Sequence, residues 1–204
     1  MTTYFTSDQH FGHRNIITYS KRPFASVEEM TEEIIKRHND VVKTSDTVIH
    51  LGDFALDERL VEPTLKRLNG RHHLIAGNHD KCHACHSRHL KMAKKYVEWG
   101  FAYVRQHGME RLYGKGVGGG VDCVDVLLSH LPYRGDTVTE ARPKGEERYP
   151  EFRLADGGKW LLCGHVHEHW RIRDRMINVG VDQWDFTPVA GETLAELIRS
   201  EESR

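Results

Sequence analysis

Thr47-Val48-Ile49-His50-Leu51-Gly52-Asp53 is an apolar, β-branched run that stops at a turn carrying a carboxylate. The run suits a buried strand, and Gly-Asp suits the tight turn that ends one. The same order returns four more times. Residues 4–7 run into Asp8-Gln9-His10, and 73–76 into Gly77-Asn78-His79-Asp80. Residues 124–128 run into Ser129-His130, and 160–163 into Gly164-His165-Val166-His167. Helical patterns fill the gaps. Ser26 and Glu29 form a capping box before Val27, Met30, Ile34, Ile35, Val41 and Val42 at near-helical spacing. Further helices are predicted over 58–68, where Pro63 delays the start or kinks the axis, over 87–99 and over 194–199. Residues 101–105 and 176–179 read as additional strands. Strands alternating with helices predict an α/β fold. Ligands in such folds gather beyond the carboxyl ends of the strands, so the five polar turns are expected to share one place.

The 204 residues suit one domain spanning 1–204, with 38% apolar and 29% charged residues. A formal net charge of −1 gives no global field that would draw in nucleic acid or an anionic membrane, although a local basic patch is compatible with it. No apolar run approaches the roughly 18 residues of a membrane span, and no basic-then-apolar leader opens the chain. A cytoplasmic location, no membrane partner and four reduced thiols are expected. Fifteen histidines are the compositional outlier and favour metal chemistry.

The turns offer Asp8, His10, Asp53, Asn78, His130, His165 and His167 as metal ligands. That mixed oxygen and nitrogen set suits two divalent ions sharing a carboxylate. Asp8 and His10, two apart in an extended segment, can face one ion together, and so can His165 and His167. Asn78 can ligate through its side-chain oxygen, leaving His79 to project toward a substrate and Asp80 to orient the His79 ring. His13 and Arg14 are candidate phosphate contacts, and Tyr133 with Arg134 could line a leaving-group pocket.

Cys82-His83-Ala84-Cys85-His86 has the spacing of haem attachment, which needs an exported chain and is set aside. A small zinc site on Cys82 and Cys85 with His86 or His89 is a second reading, and plain packing beside the cleft a third. Cys123 and Cys163 read as small core residues. Five glycines in 114–120 read as a flexible turn between strands. In the polar excursion 132–158, Arg142, Lys144, Arg148 and Arg153 alternate with glutamates. That is the pattern of a solvated face, or of a grip on a polyanionic substrate.

The series Asp-x-His, Gly-Asp, Gly-Asn-His-Asp, His, Gly-His-x-His is similar to the calcineurin-like metallophosphoesterases, from Asp8 through His167. The opening Thr6-Ser7-Asp8-Gln9-His10-Phe11-Gly12-His13 and the closing Asn178-Val179-Gly180-Val181-Asp182 also look like small single-domain bacterial and phage members. The resemblance implies a four-layer α/β/β/α sandwich, two mixed sheets flanked by helices. It implies one divalent ion on Asp8, His10, Asp53 and His167, and another on Asp53, Asn78, His130 and His165. Asp53 would bridge, and His79 would stand over the phosphoryl group. Manganese, iron, zinc, nickel and cobalt all suit such a set. Two ions about 3.5–4 Å apart can ionise a water for in-line attack on phosphorus. His79 would then hydrogen-bond a phosphoryl oxygen or protonate the leaving group. The expected function is hydrolysis of phosphate esters, foremost diesters of cyclic or linear nucleotide type. A phosphomonoesterase is the alternative, and a non-catalytic phosphate-ester binding module the third reading. The expected partner is a small-molecule or nucleotide phosphate ester, with nucleic acid as a substrate only.

Overall fold

The computed structural model describes residues 1–115, 120–136 and 147–203. In the first sheet, strands β1 (Thr3–Thr6), β2 (Thr47–His50), β3 (Arg71–Ile75) and β4 (Val104–Arg105) lie parallel and in that order. Strand β10 (Val189–Ala190) pairs antiparallel with the free edge of β1. The second sheet runs β5 (His107–Lys115), β6 (Val121–Ser129), β7 (Trp160–Cys163), β9 (Met176–Asn178) and β8 (Ile172–Arg173). Its three inner strands are parallel and its two edge strands antiparallel to them. Two mixed sheets with helices are the expected α/β class.

Burial explains the stacking. Phe5, Ile49, Leu51 and Ile75 from the first sheet share a core with Leu112, Val126, Leu128, Leu162 and Ile177 from the second. Helix α5 (Gly191–Glu202) adds Leu194, Ala195 and Ile198 to it. A second core joins Leu74 and Ala76 to helices α2 (Val27–Val41), α3 (Val61–Leu65) and α4 (His89–Glu98), through Met30, Ile34, Leu65, Met92 and Tyr96. Each such fully buried side chain contributes roughly 1.5–3 kcal/mol relative to exposure. A smaller cluster unites Leu161, Cys163 and Met176 with Tyr133, so Tyr133 is a packing residue whose hydroxyl donates to the Lys159 carbonyl (2.8 Å).

Several boundaries moved for local reasons. Ser26 Oγ accepts the Glu29 N–H (3.1 Å), but Glu29 reaches back to the Ala25 N–H (2.7 Å), one residue earlier than a capping box. The helix expected over 58–68 is a single tight turn, Glu58–Leu60, followed by α3. Pro63 falls in the first turn of α3, where no N–H is needed. Helix α1 (Arg14–Tyr19) and strands β5, β8 and β10 were not anticipated. Cys163 is buried as expected, but Cys123 is exposed, because the first three residues of β6 all face solvent. Arg153 is buried rather than part of a solvated face. Arg142 and Lys144, and residues 116–119 of the glycine-rich turn, lie outside the described residues. All four cysteines are unpaired. No helix among the described residues is long and apolar enough to cross a membrane.

Under the first sheet three buried histidines stand together. Gln9 Nε2–H donates to His50 Nδ1 (3.0 Å), His50 Nε2–H to His72 Nδ1 (3.0 Å), and His72 Nε2–H to the Leu68 carbonyl (3.2 Å). His38 donates to the Asn69 carbonyl (2.8 Å). Every ring is neutral in this scheme. Burial holds His38 below the ordinary histidine value, His50 well below it, and His72 down to about 4. Unfolded histidine takes a proton near 6.5, so on acidification the unfolded chain binds protons that the folded one refuses. Stability is therefore present above about pH 6.5 and is lost as pH falls toward 4. Each ring contributes a slope of about 1.4 kcal/mol per pH unit within its window. Urea unfolding at pH 7, 6 and 5 is expected to show this decline. His38→Gln, which keeps a donor for the Asn69 carbonyl, should flatten it; identical slopes would refute the assignment.

Candidate metal centre

The site forms where the two sheets present their strand ends. Beyond β1 and β2 the chain continues pairing in the loops: Asp8 N–H donates to Gly52 O, His10 N–H to Asp53 O and Phe11 N–H to Phe54 O, each at 3.0 Å. This rung pattern sets the Asp8–His10 turn alongside the Asp53 turn. Across the sandwich, Ser7 bridges to Gly180, and Gly164 N–H donates to the His130 carbonyl (3.0 Å). Turns from β1, β2, β3, β6 and β7 thus meet at one place.

Two turns approach so closely that only glycine fits. A Cβ at Gly77 would strike Asp53 Oδ1, and one at Gly164 would strike Ser7 Oγ and Asp8 Oδ2. The backbone is strained as well. Asp8 (φ 58°), His10 (53°), Asp53 (53°), His165 (71°) and His167 (44°) are all left-handed. Such residues cost on the order of 1–3 kcal/mol each and cluster where function holds them.

The ligand atoms converge with gaps of a telling size. Asp53 Oδ2 lies 3.5 Å from His10 Nε2 and 3.4 Å from His130 Nε2. Asp8 Oδ1 lies 3.9 Å from both His10 Nε2 and His167 Nε2. These separations exceed a hydrogen bond of about 2.7–3.2 Å. Two ligands each about 2.1 Å from one ion stand roughly 3–3.6 Å apart, which is close to what is found. His10 Nε2 is buried without any hydrogen-bond partner. Asp8, His10 and His167 form one group with ligand atoms within 4.8 Å of one another, and Asp8, Asp53 and His130 form a second. Asn78 Oδ1 joins the second at 3.1 Å from His130 Nε2. His165 stands beside it, its ring 5.3 Å from that of His130, with its backbone N–H donating to both Asp8 oxygens. The residues present therefore fit divalent ions.

Electrostatics agree with a site built for positive charge. Burial alone would lower His130, but Asp53 and then Asp8 outweigh it and hold the ring up to about 9. Burial likewise works to raise Asp53, yet His130 and His10 hold it well below the usual carboxylate range. Asp8 stays raised, because burial dominates there. His130 Nδ1–H donates to the Leu51 carbonyl (2.8 Å), which turns Nε2 inward.

Two expectations change. Asp80 does not touch the His79 ring. Its carboxylate accepts N–H groups from Gly77 (2.8 Å), Asp53 (2.9 Å) and Phe54 (3.1 Å), stitching two ligand turns together. Burial and the charge of Asp53 push it up to about 7, against the pull of those donors. Arg14 is exposed at the start of α1, directly after His13. His13 Nδ1 lies 3.4 Å from His10 Nδ1, with its ring 6.3 Å from that of His79. His79 itself has 39% of its side chain exposed, and Nε2 lies 3.9 Å from Asp53 Oδ2. The zinc reading of Cys82 and Cys85 fails: they form no ligand group, and Cys85 Sγ and His86 Nε2 both turn to the Asn78 carbonyl (3.7 and 3.0 Å). Arg134 bonds the Arg153 carbonyl (3.2 Å).

Sequence reading missed one supporting unit. His167 Nδ1 faces Asp182 Oδ2 at 3.3 Å, and Asp182 is gripped by both Arg22 Nε and Arg22 Nη2 at 2.8 Å. Arg22 also donates to the carbonyls of Asp8 (2.7 Å) and Gln9 (3.0 Å). Burial would raise Asp182, but His167 and Arg22 hold it low. Asp182 lies in the noted Asn178–Asp182 stretch, whereas nothing near Arg22 marks it.

Comparison with known proteins agrees with this geometry. The chain is 35% identical over 191 residues to the Gene 66 protein of Mycobacterium phage L5, covering 89% of this chain and 87% of that one. It is 47% identical over 81 residues to an uncharacterised protein of Methanocaldococcus jannaschii, covering 38% of this chain and 46% of that one. A crystal structure of a protein of unknown function from Aquifex aeolicus matches with a TM-score of 0.61 and 27% identity, over 96% of this chain and 98% of that one. The calcineurin-like phosphoesterase family matches residues 1–169, and the chain belongs to that family of metal-dependent phosphoesterases.

Proposed function

We propose that the chain is a dinuclear metal-dependent phosphodiesterase. The observation that carries this reading is Asp53 Oδ2, set at near-ligand spacing from two histidines, His10 and His130. Asp8, His10, Asp53 and His167 would hold one ion, and Asp53, Asn78, His130 and His165 the other. Divalent cations bound there would neutralise charge on phosphoryl oxygens and make a water ionise near neutral pH. The chain's own part is to place groups. His79 is the half-exposed ring beside Asp53 and can reach a substrate from outside. Its imidazole can donate a hydrogen bond to a phosphoryl oxygen, or a proton to the departing oxygen.

The charge inventory favours diesters. A monoester dianion calls for a further clamp on its second charge, as arginine supplies. Arg22, which touches the Asp8 turn, is already committed to Asp182. A diester carries one charge and needs no such clamp.

Metal-loaded protein is expected to cleave bis(p-nitrophenyl) phosphate in preference to p-nitrophenyl phosphate. Preference for the monoester would make it a phosphomonoesterase, and cleavage of neither would leave a binding module. His79→Ala is expected to lower kcat about 10²-fold or more with unchanged metal content. Full activity in that variant would remove His79 from the mechanism.

A further inference from the structure

Residues 81–97 hold five lysines or arginines and no aspartate or glutamate, in a chain of formal net charge −1. Lys36, Arg37 and Lys66 are paired along their own stretch of chain, as Lys36–Asp40, Arg37–Glu33 and Lys66–Glu62. Those are ordinary solvated faces. Lys81, Arg88, Lys91 and Lys95 instead line a cleft of about 310 Å³ over the buried Met92, with Glu58 as the one carboxylate on its wall.

Three of these cations work against the helix that carries them. Arg88, Lys91 and Lys95 recur along one face from the N-cap to the last turn of α4, and like charges at that spacing repel. The first turn of α4 has no acidic residue and no side-chain cap, although negative charge is favoured there. An anion in the cleft would relieve both. The cleft also adjoins the metal centre. Lys81 directly follows Asp80, and His86, on the same wall, donates to the Asn78 carbonyl at 3.0 Å.

The dimensions select the anion. From position 88 to 95 the face extends about 10 Å at ~1.5 Å per residue. A lone phosphate meets only part of that length. Consecutive phosphates of one strand, about 3.4 Å apart in axial rise when stacked, match it with three or four. We propose that this cleft is a subsite for the phosphates flanking the cleaved linkage of a single-stranded oligonucleotide. The inference rests on the diesterase reading and narrows its substrate class.

The test compares metal-loaded wild type with the Lys91→Ala/Lys95→Ala double variant. Substrates are a thymidine dinucleotide, a thymidine octanucleotide and bis(p-nitrophenyl) phosphate. Wild type is expected to show a KM for the octanucleotide about tenfold or more below that for the dinucleotide. The double variant should raise the octanucleotide KM about tenfold with kcat kept, and leave the chromogenic diester within about twofold. The slope of log KM against log salt should fall by about 1.4, the loss of two single-strand phosphate contacts. A KM independent of strand length, or equal losses on all three substrates, would overturn the subsite while the diesterase reading stands. A wild type inert on every diester would overturn both.

Discussion

Asp53→Ala is expected to lose divalent metal and activity together, by about 10³-fold or more. Asp53 stands at the join of the two ligand groups, with Oδ2 facing His10, His130 and His79 at 3.5, 3.4 and 3.9 Å. Its other oxygen accepts the His79 N–H (2.8 Å), so the same side chain places the substrate-facing histidine. Alanine removes the negative charge that makes this buried place attractive to cations. Several kcal/mol of transition-state stabilisation go with the ions, and each 1.36 kcal/mol is tenfold in rate. Asp53→Asn separates the two duties. It keeps an acceptor for the His79 N–H but not the charge, and it should lose metal nearly as fully. Metal analysis beside kcat checks this. Full metal content in Asp53→Ala would contradict it.

Arg22→Ala is the second large effect, and it strikes the fold as well as the site. It leaves Asp182, with a side chain only 3% exposed, without its cation. It also takes the donors from the carbonyls of Asp8 and Gln9. Breaking one side of a buried ion pair costs about 3–5 kcal/mol, which in a chain of this size lowers Tm by roughly 10 °C. Asp182 would no longer steady the His167 ring, and losses of such supporting partners weaken metal binding about 10–100-fold. Arg22→Lys should rescue little, since one ammonium cannot replace the two-pronged grip. Arg22→Met with Asp182→Leu should regain much of the stability but not the metal affinity. A wild-type Tm in Arg22→Ala would refute the account of this pair.

The ligand turns were legible because their chemistry is tied to residue type and each follows an apolar strand. Asp8, Asp53, Asn78, His130 and the 165–167 pair needed only that pattern. Arg22 and Asp182 were not, since 160 positions separate them and only the tertiary fold joins them. Asp80 misled because adjacency to His79 suggested a ring contact. In the fold its carboxylate serves the N–H groups of Gly77, Asp53 and Phe54 instead. Strand β5 was hidden by Gly108 and Gly114, which blank its alternation. The left-handed ligands were equally unreadable, for the rungs between neighbouring turns impose them rather than local sequence. The basic run 81–97 was in plain view, but its meaning depended on the cleft that α4 forms beside the Asn78 turn.

Anomalous diffraction from crystals grown with manganese tests the central claim most directly. Two peaks are expected about 3.5–4 Å apart, one among Asp8, His10 and His167, the other beside His130 and Asn78, with Asp53 touching both. Manganese bound away from Asp53, or a single peak at full loading, would contradict a paired centre.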